Sequence, residues 1–202
     1  MARAKSAYRS KPSGKSSSTA VHIDEVGKLR LVVVADTHSE PHPRAAELIA
    51  REQPHAVVHA GDIGDLKVLD DLAKIAPVLA ERGNIDVVAP DLPDALTIDV
   101  CDAGHDDAAR LFRILCVHIA VYGPKLRADV VRRAQAEDAR VVICGHSHVP
   151  FIGRDRNLTI FNPGSIGPRR FHLPIVFGVM DVTPTNVRMK HVSCETGQDW
   201  MP

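Results

Sequence analysis

The feature that most constrains this chain is a repeated junction, in which a short apolar, β-branched run ends on a cluster of Asp, Asn or His. Leu29 to Ala35 (LRLVVVA) runs into Asp36-Thr37-His38, and Ala56 to Ala60 (AVVHA) into Gly61-Asp62 and on to Asp65. Pro77 to Ala80 precedes Gly83-Asn84-Ile85-Asp86, and Phe112 to Val117 ends at His118. Val141 to Cys144 (VVIC) leads into Gly145-His146-Ser147-His148, and Leu158 to Phe161 into Asn162-Pro163-Gly164-Ser165. Apolar runs this short predict strands buried on both faces. Helical composition lies between them at Pro43 to Arg51, Asp65 to Ala73 and Leu126 to Ala136. Thr97 to Val100 is a further short strand, and Ile175 to Met180 and Asn186 to Val192 follow with no helix between them. Alternating β and α signals that give way to a β-rich end predict an α/β sandwich of sheets with helices outside.

Composition excludes several other destinations. Hydrophobic residues at 45% and charged residues at 25% exclude a wholly disordered chain. No apolar run reaches the roughly 18 residues of a membrane-spanning helix. Cys101, Cys116, Cys144 and Cys194 form no C-x-x-C pair, which argues against a zinc ribbon and for a reducing, cytoplasmic setting. The formal net charge of +0 hides an asymmetry. Residues 1–20 hold Arg3, Lys5, Arg9, Lys11 and Lys15 and no acid, so this stretch carries +5 and the rest −5. The first 20 residues read as a disordered, Ser-rich basic arm without the apolar stretch of a secretory signal. The main domain is expected over 28–194 and a tail over 195–202, with the polar stretch 102–110 as an exposed loop. The acidic body offers no general basic face for nucleic acid.

In open α/β sheets, ligands bind at the carboxyl ends of strands, where all the polar clusters are expected to gather. Asp, Asn and His together offer hard oxygen and borderline nitrogen donors, a set suited to Mn²⁺, Fe, Zn²⁺ or Co²⁺ and not to a thiolate site. D-x-H and H-x-H place both members on one side where a strand enters a loop. Two metals need a bridging carboxylate, and Asp62 is the candidate. Two divalent ions, less two carboxylates and one hydroxide, leave about +1, which favours an anion such as a phosphoryl group. Each junction alone is weak evidence. His55 and His59 read as ordinary core or surface residues, and His22, His42, His105, His172 and His191 as surface ones. The joint order of clusters is what sets this chain apart.

D-x-H, G-D-x-x-D, G-N-x-D, His, G-H-x-H and N-P-G-S in this order resemble the calcineurin-like metallophosphoesterase superfamily, in particular its small single-domain, YfcE-like phosphodiesterase branch. The resemblance spans about residues 29–192. It implies a four-layer αββα sandwich with mixed β-sheets flanked by helices, and a binuclear centre of two divalent ions, Mn²⁺ foremost, with Fe, Zn²⁺, Ni²⁺ and Co²⁺ as alternatives. It implies that Asp36, His38, Asp62 and His148 hold one ion, and that Asp62, Asn84, His118 and His146 hold the other. Asp62, Asn84 and His118 would then carry the reaction, in which a bridging hydroxide attacks a phosphodiester, and a monoester less well, in line. The branch often forms homodimers. It also contains a retromer scaffold subunit, so a non-catalytic, metal-binding interaction module is the alternative.

Two positions depart from the family pattern. Ile85 stands where many members carry a His that protonates the leaving group, and Ile119 stands where Gly is usual after His118. Without a general acid, modest turnover and a preference for activated aryl diesters are expected. Asp65 then loses its usual partner and is either a support behind the ligands or a helix N-cap. Arg169 and Arg170 follow N-P-G-S and are candidates for clamping a phosphate or for pairing with surface acids. Arg127 and Tyr122 are weaker candidates. A metallo-β-lactamase-like enzyme would need H-x-H-x-D-H, which does not occur.

Overall fold

The computed structural model describes residues 14–103 and 109–201. Sheet A holds, in spatial order, β1 (Ser16–His22), β5 (Ala95–Cys101), β6 (Arg110–Cys116), β9 (Val141–Ile143), β11 (Leu158–Asn162) and β10 (Phe151–Asp155). Sheet B holds β14 (Asp199–Trp200), β13 (Asn186–Ser193), β12 (Val176–Thr183), β2 (Leu29–Val34), β3 (Ala56–Ala60) and β4 (Val78–Glu81). Both sheets are mixed: β2, β3 and β4 run parallel, as do β6, β9 and β11, while β12 is antiparallel to β2. A two-stranded hairpin, β7 (Val121–Tyr122) with β8 (Lys125–Leu126), stands apart.

Three apolar clusters show why the layers stack as they do. Leu31, Val33 and Val58 of sheet B meet Ile98, Ile114 and Phe161 of sheet A in the space between the sheets. The alternate residues Val32, Val34 and Val57 face outward under α1 (Ala45–Arg51) and α2 (Lys67–Ala73), packing on Leu48, Ile49 and Val68. Leu115, Val142 and Ile160 face outward on the other side under Val130, Val131 and Ala134 of α3 (Ala128–Ala136). Strands covered on both faces are apolar at every position, which is why the runs read as continuous. The order is helix, sheet, sheet, helix, the expected four-layer αββα sandwich.

Four readings change. Ser16–His22 is an edge strand pairing in parallel with β5 from Ser16↔Ala95 to His22↔Cys101, not part of a disordered arm. Its backbone is extended further by Lys15, whose amide donates to Asp94 Oδ2 at 2.7 Å. The side chains of an edge strand stay largely exposed, so Ser and Thr suffice and no apolar pattern announces it. The arm's residues 1–13 lie outside the described residues, as do 104–108 of the loop at 102–110. In the C-terminal tail, Asp199–Trp200 adds a strand to β13. His191 is buried at 5% exposure, donating from Nε2 to the Asn162 carbonyl at 2.8 Å. Leu126 belongs to β8, and α3 begins two residues later.

Candidate metal centre

The carboxyl ends of β2, β3, β4, β6, β9 and β11 converge at one end of the sandwich and bring the polar clusters together. Asp36 follows β2 and is fully buried. Its carboxylate accepts the His146 amide, at 2.9 Å to Oδ2, and its Oδ1 stands 3.3 Å from His148 Nε2. His38 Nε2 lies 3.3 Å from His148 Nε2. Asp36, His38 and His148 thus form one group whose ligand atoms all lie within 4.8 Å of one another, and Asp62, His118 and His146 form a second.

Asp62 stands between the groups. Its Oδ1 is 3.1 Å from His118 Nε2 and its Oδ2 is 3.9 Å from His38 Nε2. Asn84 is exposed, in a cleft of about 250 Å³ that His118 also lines, and the amide of the next residue, Ile85, donates to Asp62 Oδ1 at 3.1 Å.

The donor atoms fit a cation. His118 Nδ1 donates to the Ala60 carbonyl at 2.7 Å, which fixes the ring and aims Nε2 at Asp62. That buried Nε2 has no hydrogen-bond partner despite its closeness to the carboxylate. His38 and His148 turn their Nε2 atoms toward each other, and burial lowers both pKa values, His148 to about 4. Burial pushes the Asp36 carboxyl up to about 7. Burial also acts on Asp62, but His118 overrides it and holds that carboxyl at about 2. The same carboxylate raises His118 against its own burial. Asp62 and His118 thus favour each other's charged forms, whereas burial favours the neutral forms of Asp36 and His148.

The backbone is strained where these side chains start. Among the described residues, Asp36 (φ 56°), His38 (φ 46°), Asp62 (φ 53°), His146 (φ 67°) and His148 (φ 58°) all adopt the left-handed region. Each such residue costs about 1–2 kcal/mol, and such strain persists where the surrounding structure over-determines it. Gly61 (φ 81°) leaves the space, since a Cβ there would stand 2.7 Å from both the Gly83 amide and His118 Nδ1.

Two supports hold these loops. Asp86, 2% exposed, accepts three backbone amides, from Ile63 at 3.1 Å, Gly64 at 2.8 Å and Gly83 at 2.7 Å. It ties the loop after β3 to the loop after β4. Its place in G-N-x-D is visible in the sequence, but the three amides it gathers come from two separate loops. Asn162 donates to the Gly145 carbonyl at 2.9 Å, and Ser165 Oγ to the Asp36 carbonyl at 3.0 Å, so the Asn-Pro-Gly-Ser loop closes the floor as expected.

Asp65 serves the helix start instead of the ligands. Its Oδ1 accepts the Lys67 amide at 2.9 Å, at the first turn of α2. Arg169 pairs with Glu195, whereas Arg170 reaches the centre, 3.1 Å from His38 Nε2. Arg127 pairs with Asp129 at 2.9 Å, and Tyr122 is exposed. Ile119 turns the chain without entering the left-handed region. His59 is a core residue, 3.1 Å from the Thr37 hydroxyl. A cavity of about 590 Å³ lies at the opposite end of sheet B, where Arg30 pairs with Asp181 and His55 with Asp24, and none of the polar clusters reaches it.

The calcineurin-like phosphoesterase superfamily domain matches residues 29–185. A probable metallophosphoesterase of Methanocaldococcus jannaschii is 31% identical over 147 residues, covering 69% of either chain. The phosphoesterase YfcE of E. coli shares the fold with a TM-score of 0.55 at 20% identity, over 86% of this chain and 97% of that one. Vacuolar Protein Sorting 29 of Cryptosporidium parvum does so with a TM-score of 0.66 at 15% identity, over 86% and 95%. The order of the polar clusters, the four layers and the match over residues 29–185 place this chain in the calcineurin-like phosphoesterase superfamily.

Proposed function

We propose that the chain is a binuclear-metal phosphodiesterase in which Asp62 bridges the two ions. Asp36, His38, Asp62 and His148 would hold one ion, and Asp62, Asn84, His118 and His146 the other. The observation that carries this reading is the split orientation of Asp62, with one carboxylate oxygen toward His118 and the other toward His38. Ions bound there supply Lewis acidity to phosphoryl oxygens and an activated water for in-line displacement. Manganese is the first metal to try, because the donors are oxygen and imidazole nitrogen with no thiolate. The four cysteines are buried and unpaired, which supports a cytoplasmic setting.

The chain's own residues limit the reaction. Ile85 is half-exposed beside Asp62 and offers no proton to a departing oxygen. General acid catalysis is typically worth about 10²–10⁴-fold. Aryl diesters, whose leaving groups depart unprotonated, should outpace alkyl esters. Ile85 also favours a second reading, a metal-binding scaffold, because Val87 and Val88 beside it are exposed as well and extend an apolar rim next to the centre.

The test is hydrolysis of an aryl phosphodiester and its matching monoester by metal-stripped protein. Mn²⁺, Zn²⁺, Fe²⁺, Ni²⁺ and Mg²⁺ are added back in turn, with Asp62→Asn as control. Metal-dependent diester cleavage that Asp62→Asn abolishes supports the enzyme. Two bound equivalents without hydrolysis favour the scaffold.

A further inference from the structure

The two arginines after the Asn-Pro-Gly-Ser loop have separate tasks. Arg169 is held on both sides: its Nη1 donates to the Leu173 carbonyl at 2.9 Å, and its Nη2 pairs with Glu195. With the Leu173 amide donating to the Arg170 carbonyl at 3.1 Å, these contacts close the turn and tie it to the C-terminal segment. Arg170 has no carboxylate partner among the described residues. Its Nη2 donates instead to His38 Nε2 at 3.1 Å, the nitrogen that faces His148 and Asp62.

The base from which Arg170 reaches out is firmly seated. Ser165 Oγ donates to the Asp36 carbonyl at 3.0 Å, and the His42 amide to the Ile166 carbonyl at 2.6 Å. Gly167 presses on the Asp36 and Thr37 carbonyls, where a Cβ would have no room. A guanidinium keeps its charge at any working pH. With divalent cations in the centre, an unpaired guanidinium beside them is repelled unless an anion lies between. The fork of an arginine matches phosphoryl oxygens in shape as well as charge.

We propose that Arg170 is the phosphoryl-binding arginine of this site. It gives up His38 when that nitrogen takes a metal and donates to the substrate's non-bridging oxygens, while Arg169 serves only the turn. The proposal rests on the phosphoesterase reading above, and makes Arg170 a determinant of specificity for an anionic phosphate.

The experiment is calorimetric titration of inorganic phosphate into the metal-loaded full chain, for wild type, Arg170→Ala, Arg170→Lys and Arg169→Ala. Metal content is measured for each by mass spectrometry. Arg170→Ala should weaken phosphate about ten- to hundredfold, the scale of one charge-assisted hydrogen bond, with metal content unchanged. Arg170→Lys should recover part of the loss, as charge without the fork. Arg169→Ala should bind phosphate like wild type and melt at a lower temperature. Equal phosphate affinity in wild type and Arg170→Ala overturns the proposal alone, as does a parallel loss of metal, which would make the residue structural. Absence of phosphate binding by doubly loaded wild type overturns the phosphoesterase reading, and this proposal with it.

Discussion

Replacing Asp86 with Ala tests whether the centre is braced from behind. The carboxylate holds the Ile63, Gly64 and Gly83 amides together across the loops after β3 and β4, where Asp62 adds the single amide of Ile85. Leaving a buried amide unsatisfied costs about 1–3 kcal/mol. Ile63 is fully buried, while Gly64 and Gly83 are partly exposed and regain water. The net loss should therefore be about 3 kcal/mol rather than three full penalties. For a chain of this size, that lowers the melting temperature by about 6–12 °C. Melting should be followed by circular dichroism on metal-stripped protein, so that lost metal binding does not add to the effect. Metal affinity is then measured separately and should fall, because Asp62 lies on the braced loop. Asp86→Asn keeps one acceptor and should fall between. If Asp86→Ala melts within about 2 °C of wild type and still binds two ions, the bracing argument is wrong.

Other perturbations probe the same centre. In metal-stripped protein, the Asp36 carboxyl is raised from its ordinary 3.8 to about 7. Its contribution to stability is full below 3.8 and lost as pH rises through about 7, while His59 and His148, lowered by burial to about 3 and about 4, add stability as pH rises toward 6.5. The Asp36 share is therefore read by comparison with Asp36→Asn: between pH 4 and 7 the wild-type melting temperature should fall relative to that of the variant. The Asp62 carboxyl, lowered to about 2, contributes stability above 3.8 that is lost only as pH falls toward 2, so it does not offset Asp36 in that window. A wild-type minus Asp36→Asn difference that stays flat or rises from pH 4 to 7 would contradict the Asp36 assignment. Gly145→Ala puts a Cβ 2.8 Å from the Ala60 carbonyl and 2.9 Å from Asp36 Oδ2, and should cost metal affinity at least tenfold in equilibrium dialysis while the far-UV spectrum holds. Removing residues 1–22 uncovers the edge of β5, and should produce concentration-dependent association in sedimentation, since unpaired strand edges template pairing.

Much of the centre was legible in the sequence because strands carry their register outward. A run such as Val141 to Cys144, buried on both faces, must be apolar throughout, so the first polar residues after it mark the strand's end. Residues at that end meet whatever follows the neighbouring parallel strands, and Asp36, Asp62, His118, His146 and His148 could be named without coordinates. Edge strands escaped the reading for the complementary reason. β1, with only one paired neighbour and little burial, needs no apolar side chains, so Ser16–His22 looks like a solvated arm. His191 escaped too, because nothing local distinguishes an exposed imidazole from one that the Asn162 carbonyl draws inward.

The sequence by itself determined the layered α/β architecture and the identity of the donor atoms, because periodicity and residue chemistry are local properties. Tertiary structure alone decided three things. Asp62 presents one oxygen to each cluster, Asp86 and not Asp65 braces the loops, and Arg170 and not Arg169 faces the centre. Each choice depends on where separate loops meet and on which of two similar side chains finds a nearer partner. Glu195 is 26 residues from Arg169 in the chain but its ion-pair partner in space, and that pairing sets the two adjacent arginines apart.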